Sequence, residues 1–409
     1  MAAIAILSLN YAPEPVGVGP YSQGWAEYLV AHGHRVRVVC GPPHYPDWQI
    51  QPGYSNEYSA TTEAGVEIVR VPVYIPRKPT GPKRLALQAS FARSASRAIR
   101  DWRGAFCPEV TIAVAPALLA APVAARLART VGGLSWLHIQ DLEAEAAVAT
   151  GLLPPFTQAA ALAVERRIMQ QFDILSTISP AMCAKAADKV AGSAQVHELR
   201  NWAEPEVLAY RGDGGALREE LQIPDGPVAL YSGTLALKQG VGIIAEAARI
   251  ASVSSGVQFV VCGAGPAKAA LEQTAATLPN LHLRPLQPRA RLPELLGLAD
   301  VHLLPQIAEA ADLVLPSKLP NMLASARPVI AAADPSTSLA DEVRGCGMIV
   351  PPGDPRALAS ALALLADNAE KRQSLGLAAH ERARERWEKF HVLSQLRSTL
   401  DAALGARAR

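Results

Sequence analysis

The feature that most constrains the fold is an alternation of short β-branched runs with longer helical segments, which occurs twice along the 409 residues. The first set of predicted strands covers 3–9, 35–40, 110–114, 134–139 and 174–178, and the second covers 227–232, 257–262, 280–284, 300–304, 328–331 and 347–350. Segments rich in Ala, Leu, Glu and Arg separate most of them, as in 240–253, 265–277 and 354–366. Strands punctuated by helices indicate βαβ units with parallel sheets, so we predict an α/β protein of two Rossmann-like, doubly wound domains.

An irregular stretch rich in glycine and proline, residues 200–226, separates the two series of strands. A chain of this length is too long for one ordinary core, and half of its residues are apolar. We predict a first domain over 1–200, a second over 201–376 with a hinge near their junction, and a C-terminal helical segment over 377–409, part of which packs back on the first domain. Since ligands of open parallel sheets bind at the carboxyl ends of the strands, we expect a cleft between the domains.

The composition excludes several classes of protein. A formal net charge of +2 argues against nucleic-acid binding. The five cysteines are widely spaced and lack C-x-x-C pairs, which favours reduced thiols over a disulfide framework or a zinc site. The N-terminal MAAIAILSLNYAP lacks a basic region and reads as a buried strand, not a signal peptide. We expect no spanning helix, and therefore a protein that is soluble or at most peripheral.

A loop with two glycines follows the first predicted strand. In NYAPEPVGVGPYSQGWAEYL, Gly17 and Gly19 stand directly before a helical pattern. Glycine lets the backbone approach a ligand closely, and the N–H groups at a helix start attract an anion. The G-x-G-x-x-G fingerprint is not completed, because position 22 is serine. The loop predicts an anion contact, with a plain tight turn as an equal alternative.

The second half opens with a comparable loop, LYSGTLALKQG, at residues 230–240. Gly233 frees the backbone after the strand, Thr234 can donate a hydroxyl, and Lys238 carries a point charge suited to a phosphate. No G-x-x-x-x-G-K-[ST] motif is present, so this is not a P-loop. We predict a diphosphate held by this loop and its lysine; a solvated loop lysine is the plainer alternative.

A second lysine strengthens the diphosphate prediction. Pro316 and Ser317 mark a helix start, with Lys318 and Asn321 one turn apart on one face. A lysine at a helix N-terminus is electrostatically misplaced unless an anion lies nearby. We expect Lys238 and Lys318 both to be exposed in the ligand-free protein.

In the first domain, polar residues follow the predicted strand 134–139. His138, Asp141 and Glu145 fall at or just beyond its carboxyl end. One polar residue there is usually a helix cap, and Asp141 could be only that. A cluster of three favours a site at this edge.

Taken in order, these segments resemble the retaining family 4 glycosyltransferases of the GT-B type, in which two Rossmann-like domains face each other across a cleft. The resemblance rests on YAPEPVGVGPY, PPHYPDW, HIQDLEAEA, STIS, RNWAE, YSGTLALKQG, VVCGAGP and VLPSKLPNMLASARPVIA, which together span nearly the whole chain. The sequence is most similar to the fucosyltransferase-like enzymes of colanic acid biosynthesis in bacterial exopolysaccharide pathways.

The resemblance implies that a hexose is transferred with retention from a nucleotide-diphosphate sugar, GDP-fucose or another GDP- or UDP-hexose, without a metal or other cofactor. The absence of a D-x-D triplet agrees with metal independence. The first domain would bind the acceptor and the second the nucleotide sugar. By resemblance, the catalytic residues are Asp141, His138 and Glu145, the donor diphosphate binds at Gly17, Gly19, Gly233, Thr234, Lys238 and Lys318, and the nucleoside binds at Gly265, Leu286 and Asn321.

The sequence departs from the family pattern at several positions. Thr234 stands where the family has an arginine. Of the family's paired glutamates, the second would fall at Asn321 and the first near Asp312. The catalytic-loop His-Asp pair reads Gln140-Asp141, with His138 two positions earlier. These changes leave the donor and the division of catalytic work open.

The resemblance also implies a polyprenyl-diphosphate-linked oligosaccharide acceptor at the cytoplasmic face of the inner membrane. Between 83 and 103 the chain has six basic residues and one acid, with apolar side chains at Leu85, Leu87, Phe91, Ile99 and Trp102. A basic amphipathic helix of this kind is typical of peripheral binding to an anionic membrane. An ordinary surface helix packed on the first domain is the alternative.

Two other functions are compatible with this architecture. A nucleotide-sugar 2-epimerase would need acid and base residues in both domains, and the second domain offers His302 inside a strand. A non-catalytic nucleotide-sugar-binding subunit of a partner transferase would need no acid or base residues.

Overall fold

A computed structural model describes residues 1–102, 106–149, 151, 153–235, 240–252, 256–307 and 315–407. The chain forms two compact units: Met1–Arg200 together with Leu393–Arg409, and Asn201–Val392. Each unit is built on a parallel sheet with connecting helices, so the predicted α/β class with two doubly wound domains is confirmed.

The first unit contains an eight-stranded sheet of order β3-β4-β2-β1-β5-β6-β7-β8, parallel except for the β3–β4 pair. Its strands are β1 (Ala3–Ser8), β2 (Arg35–Cys40), β3 (Ser59–Glu63), β4 (Val66–Arg70), β5 (Val110–Ala115), β6 (Leu134–Ile139), β7 (Ile174–Thr177) and β8 (Gln195–Glu198). Its helices are α1 (Gly19–Ala31), α2 (Gly81–Ala98), α3 (Ala121–Val131), α4 (Glu143–Ala149), α5 (Pro155–Met169) and α6 (Pro180–Val190). Every residue of β5 is buried, as expected for a central strand covered on both faces.

The second unit contains a six-stranded parallel sheet of order β11-β10-β9-β12-β13-β14. Its strands are β9 (Val228–Thr234), β10 (Gln258–Ala264), β11 (Leu281–Arg284), β12 (Val301–Pro305), β13 (Val329–Ala332) and β14 (Gly347–Val350). Its helices are α7 (Pro205–Ala209), α8 (Gly215–Glu220), α9 (Gly242–Ala251), α10 (Lys268–Ala275), α11 (Leu292–Gly297), α12 (Leu319–Ala324), α13 (Ser338–Val343), α14 (Pro355–Asp367) and α15 (Ala369–Trp387). The last helix, α16 (Lys389–Arg407), begins in this unit and continues into the first from Leu393.

Each predicted strand is present, but β3, β4 and β8 were not predicted. All five residues of β3 are exposed, because this edge strand pairs only with β4. Such a strand carries no hydrophobic alternation that a sequence pattern could reveal. In β4 the burial does alternate, over only five residues.

The stretch predicted as a hinge is largely part of the second unit. Residues 201–226 contain α7 and α8, and they bury Val207 and Leu217. Glycine and proline in this stretch therefore shape packed turns, not a free linker. Among the described residues, no helix has the length and apolarity needed to cross a bilayer.

Candidate functional site

In the first unit, the polar residues that follow β6 were predicted to form a catalytic cluster. His138 lies inside the sheet with no exposed surface, and burial lowers its pKa to about 3. Its Nε2 lies 2.9 Å from Gln140 Nε2 and its Nδ1 lies 2.9 Å from Ser176 Oγ. Since an amide nitrogen can only donate, the neutral ring accepts at Nε2 and donates from Nδ1. This placement corrects the expectation for His138, which orients Gln140 and has no surface with which to touch a substrate.

Asp141 and Glu143 follow β6 directly, and both residues are half-buried. Burial, together with the nearby charge of Asp141, raises the pKa of Glu143 to about 8. The Gln88 Nε2 atom lies 3.4 Å from each carboxyl oxygen of Glu143, and Gln88 is itself held by the Pro116 carbonyl at 2.8 Å. Sequence reasoning missed Glu143, although its place two residues after Asp141 at a strand end was a usable signal.

Glu145 belongs to an ion-pair network between α4, α5 and α6. Its carboxylate contacts Lys189 Nζ at 2.7 Å and Lys185 Nζ at 3.3 Å, and Lys189 also contacts Glu165 at 2.5 Å. Burial alone would raise the pKa of Glu145, but the two lysines hold it below its usual range. Glu145 therefore stays ionised and fixes α4 beside Asp141 and Glu143. The part of Glu145 in catalysis stays a prediction.

The two glycines predicted to contact an anion lie at the start of α1. Gly17 is exposed and Gly19 is buried. The buried Glu14 organises this loop, because its Oε1 accepts hydrogen bonds from the backbone N–H groups of His44 (2.8 Å) and Tyr45 (2.9 Å). The motifs YAPEPVGVGPY and PPHYPDW are thus joined at the carboxyl edge of the first sheet. Anion binding at this loop stays a prediction.

In the second unit, Lys318 lies against the end of β9. Its Nζ donates to the Tyr231 hydroxyl at 2.8 Å and sits 4.1 Å from the centre of the Tyr231 ring. The Tyr231 hydroxyl in turn donates to the Thr234 carbonyl at 2.7 Å. Burial lowers the pKa of Lys318 to about 8. The side chain is half-buried, so the expectation of an exposed lysine was wrong: the aliphatic part of Lys318 packs within the unit.

Gly233 has a backbone conformation that favours glycine, and it lies directly against Lys318. Its φ is +133°, and a Cβ atom there would overlap Cε and Nζ of Lys318. The glycine in the β9 loop thus makes room for the second predicted lysine, in addition to loosening the backbone. Sequence reasoning missed Tyr231, whose ring and hydroxyl position the ammonium group.

The residues assigned to the nucleoside have separate structural duties. Gly265, at φ +150°, lets the turn after β10 lie directly against the Leu235 carbonyl, where a Cβ would collide. Leu286 is 59% exposed in the loop after β11. Asn321 Oδ1 accepts a hydrogen bond from the Glu204 backbone at 2.7 Å. That carbonyl is therefore engaged within the unit, and nucleoside binding by these three residues stays a prediction.

Two residues weighed in the sequence, Lys238 and Asp312, lie outside the described residues. Within the described ranges, no group of three His, Cys, Asp or Glu side chains is placed to hold a metal ion.

The basic helix α2 packs its apolar face on the first unit. Leu87, Phe91 and Trp102 are buried, whereas Leu85 is 53% exposed. The expectation that all of these apolar residues supply membrane contact is therefore wrong for the buried three. The basic residues along α2 are exposed.

Comparison with known proteins identifies the family. The description "Glycosyl transferase 4-like domain" matches residues 16–202, and "Glycosyl transferases group 1" matches residues 226–368. The chain is 35% identical over 413 aligned residues to WcaI, by name a colanic acid biosynthesis glycosyl transferase, from Escherichia coli (strain K12), covering 96% of this chain and 98% of WcaI. This chain belongs to the family 4 glycosyltransferases. The predicted family is confirmed.

Solved structures support the GT-B fold. Sucrose-phosphate synthase from Thermosynechococcus elongatus matches with a TM-score of 0.77 at 17% identity, covering 99% of this chain and 100% of that one. Anabaena HepE in complex with UDP and glucose matches with a TM-score of 0.68 at 15% identity, over 98% and 100% of the two chains. WaaG, a glycosyltransferase involved in lipopolysaccharide biosynthesis, matches with a TM-score of 0.64 at 17% identity, over 96% and 98%.

Proposed function

We propose that this glycosyltransferase moves a hexose from a nucleoside-diphosphate sugar to a lipid-linked exopolysaccharide oligosaccharide, with retention and without a metal ion. The observation that carries the donor assignment is the half-buried ammonium group of Lys318 at the carboxyl end of β9. Burial of this cation is unfavourable in the ligand-free protein, as its lowered pKa reports. A diphosphate bound beside Lys318 would stabilise the charged form of this lysine.

In the proposed reaction, an acceptor hydroxyl oxygen attacks the anomeric carbon from the face that the diphosphate leaves. The bond from that carbon to the phosphate oxygen breaks, and the hydroxyl proton passes to a β-phosphate oxygen of the leaving group. Lys318, with Lys238 from the β9 loop, stabilises the charge that develops on the diphosphate. In a metal-independent reaction these cations take the place of a divalent ion.

We assign the acceptor to the first unit, where Asp141 and Glu143 could orient sugar hydroxyls. Asp141 would accept a hydrogen bond, while Glu143 keeps its proton near neutral pH and can donate one. The relationship to WcaI supports an exopolysaccharide acceptor. A lipid-linked acceptor would place the enzyme peripherally on the cytoplasmic face of the inner membrane.

The test is a screen of GDP- and UDP-sugars with nucleoside diphosphate release as the readout, with and without lipid-linked acceptor. Lys238→Ala and Lys318→Ala should each lower turnover by about 10²–10³-fold, the effect of losing one preorganised charge contact. Lys268→Ala is the matched control, since Lys268 is an exposed lysine paired with Glu272 in the same unit. Nucleoside diphosphate release that depends on the acceptor distinguishes a transferase from a binding subunit. Near-normal turnover in both lysine variants would refute the assignment of these lysines to the diphosphate.

The epimerase alternative receives no support from His302. That ring is fully buried, it contacts Ser325 Oγ at 2.8 Å, and burial lowers its pKa to about 3. A neutral histidine inside β12 is a core residue and not an acid or base at the surface.

A further inference from the structure

The exposed apolar residues of the first unit are concentrated at one edge of its sheet. Of the large hydrophobic side chains that are exposed among its described residues, five of seven lie at the carboxyl ends of the parallel strands. These are Val16 (45% exposed), Tyr58 (48%), Tyr74 (46%), Leu85 (53%) and Phe156 (86%). Tyr58 belongs to this edge because the next residue, Ser59, pairs with the last residue of β4.

Helix α5 presents an apolar face that is exposed among the described residues. Phe156 stands in its first turn, and Ala160, Ala163 and Val164 are exposed on the same side, at helical spacing. No charged residue occurs between Glu145 and Glu165, a stretch of 19 residues. An exposed phenylalanine in an uncharged stretch at the start of a helix is typical of an interaction surface.

Positive charge accompanies this apolar edge. Arg77 and Lys78, which precede α2, and Lys83 and Arg84 in its first turn are all exposed close to Leu85. No acidic residue occurs from 77 to 100. The combination of cations with protruding apolar side chains complements an anionic lipid surface.

Topology brings the two clusters to the same edge. Helices α2 and α5 each precede a strand of the parallel sheet, β5 and β7, so both helices begin at the carboxyl edge and run away from it. Gln88 of α2 contacts Glu143, which lies between β6 and α5. Leu85 and Phe156 therefore flank the edge that carries Asp141 and Glu143.

We propose that the carboxyl edge of the first sheet docks on an anionic bilayer, with Phe156 and Leu85 inserted among the lipids and Arg77, Lys78, Lys83 and Arg84 on the headgroups. This inference rests on the proposed lipid-linked acceptor and specifies which face meets the membrane. It replaces the expectation that the whole length of α2 binds lipid. The docking brings Asp141 and Glu143 to the bilayer surface, where a lipid-linked sugar would be presented.

The test is flotation of the full chain with vesicles of phosphatidylcholine containing phosphatidylglycerol, compared with phosphatidylcholine alone. One cation at an anionic surface contributes about 1 kcal/mol, a factor of about five, so Lys78→Gln/Lys83→Gln should weaken binding about 25-fold. Phe156→Ser should weaken it about tenfold or more. The matched control is Arg93→Gln/Arg97→Gln, which also removes two positive charges, both from further along α2. Arg93 lies about 15 Å further along α2 than Lys83, beyond the ~8 Å screening length of physiological salt.

Three results would overturn the proposal: wild-type protein that ignores anionic vesicles at low salt, equal losses in the two charge variants, or undiminished binding by Phe156→Ser. If wild type is a dimer in analytical ultracentrifugation and Phe156→Ser is a monomer, the surface binds a second copy of the chain instead. Circular dichroism melts check that each variant is folded. Nucleoside diphosphate release with a water-soluble acceptor should be unchanged in all of them. If wild type releases no nucleoside diphosphate, that result counts against the proposed function alone, because vesicle binding is measured separately.

Discussion

Lys318 offers a prediction in which stability and activity move in opposite directions. Its ammonium group is half-buried beside the Tyr231 ring, and burial lowers its pKa to about 8 from the ordinary 10.5. In the unfolded chain the group is fully solvated and keeps its ordinary pKa. We therefore expect Lys318→Met, which keeps most of the side-chain volume without the charge, to stabilise the protein while it lowers turnover by about 10²–10³-fold.

The magnitude follows from proton linkage. Between pH 8 and pH 10.5 the unfolded chain binds a proton at this lysine and the folded protein does not, so stability rises with pH in this window. Each pH unit contributes roughly 1.4 kcal/mol, so the folded state at pH 7 is less stable by about 3 kcal/mol than a protein without this shift. Lys318→Met removes the penalty at pH 7 and removes the rise at alkaline pH. The Tyr231 hydroxyl keeps its bond to the Thr234 carbonyl in the variant.

The assay is urea unfolding of wild type and variant from pH 7 to pH 10.5, followed by circular dichroism. Lys268→Met serves as control, because Lys268 is about half exposed and should change neither stability nor its pH slope appreciably. The difference between the two variants isolates Lys318 from other groups that titrate in this range. Equal stability of Lys318→Met and Lys268→Met at pH 7, or parallel slopes, would refute the burial argument. An added nucleoside diphosphate should stabilise wild type more than Lys318→Met.

Three further predictions concern the remaining groups. Because the pKa of Glu143 is raised to about 8, the folded protein keeps a proton that the unfolded chain loses, and stability falls between about pH 4.5 and pH 8. Glu143→Gln should therefore raise the urea midpoint of unfolding more at pH 9 than at pH 5. An equal rise at the two pH values would contradict this prediction. Gly233→Ala places a Cβ on Lys318 at a strained φ, so it should lower both the melting temperature and turnover, while Gly242→Ala, where a Cβ meets nothing, should leave both near wild type. Turnover should persist in excess EDTA, measured by nucleoside diphosphate release; loss that Mg²⁺ or Mn²⁺ restores would reject a metal-independent mechanism.

The sequence predicts the sheets well where strands are buried and poorly where they are not. Strands β1, β5 and β9 are apolar runs between helical segments, because helices on a parallel sheet bury its central strands. The edge strand β3 has the sequence SATTE and is wholly exposed, so its pairing depends on β4 and not on its own pattern. Glycine and proline in the stretch 200–226 mark turns, and composition alone does not say that residues 201–226 pack as part of the second unit.

Within the candidate site, sequence reasoning located the strand ends but not the partners that determine each residue's chemistry. The roles of His138 and Glu145 depend on Ser176 and Lys189, which come from other elements of the unit. Only the fold brings these groups together, so a sequence pattern can place a titratable residue at an edge without predicting its charge.

The pair of Tyr231 and Gly233 shows how far a local pattern can be taken. Two residues apart on one strand, they point to the same face of β9. A large ring beside a glycine leaves a space next to an aromatic surface, and that much is readable from the sequence. The long side chain that fills the space comes from Lys318, 87 residues after Tyr231, and its Cε lies where the glycine lacks a Cβ. The sequence alone does not identify Lys318 as this side chain. That requires the sheet order, because β12 lies beside β9 and brings the chain that follows β12 to the end of β9. The local pattern therefore predicts a space beside an aromatic ring, and the topology identifies the side chain that fills it.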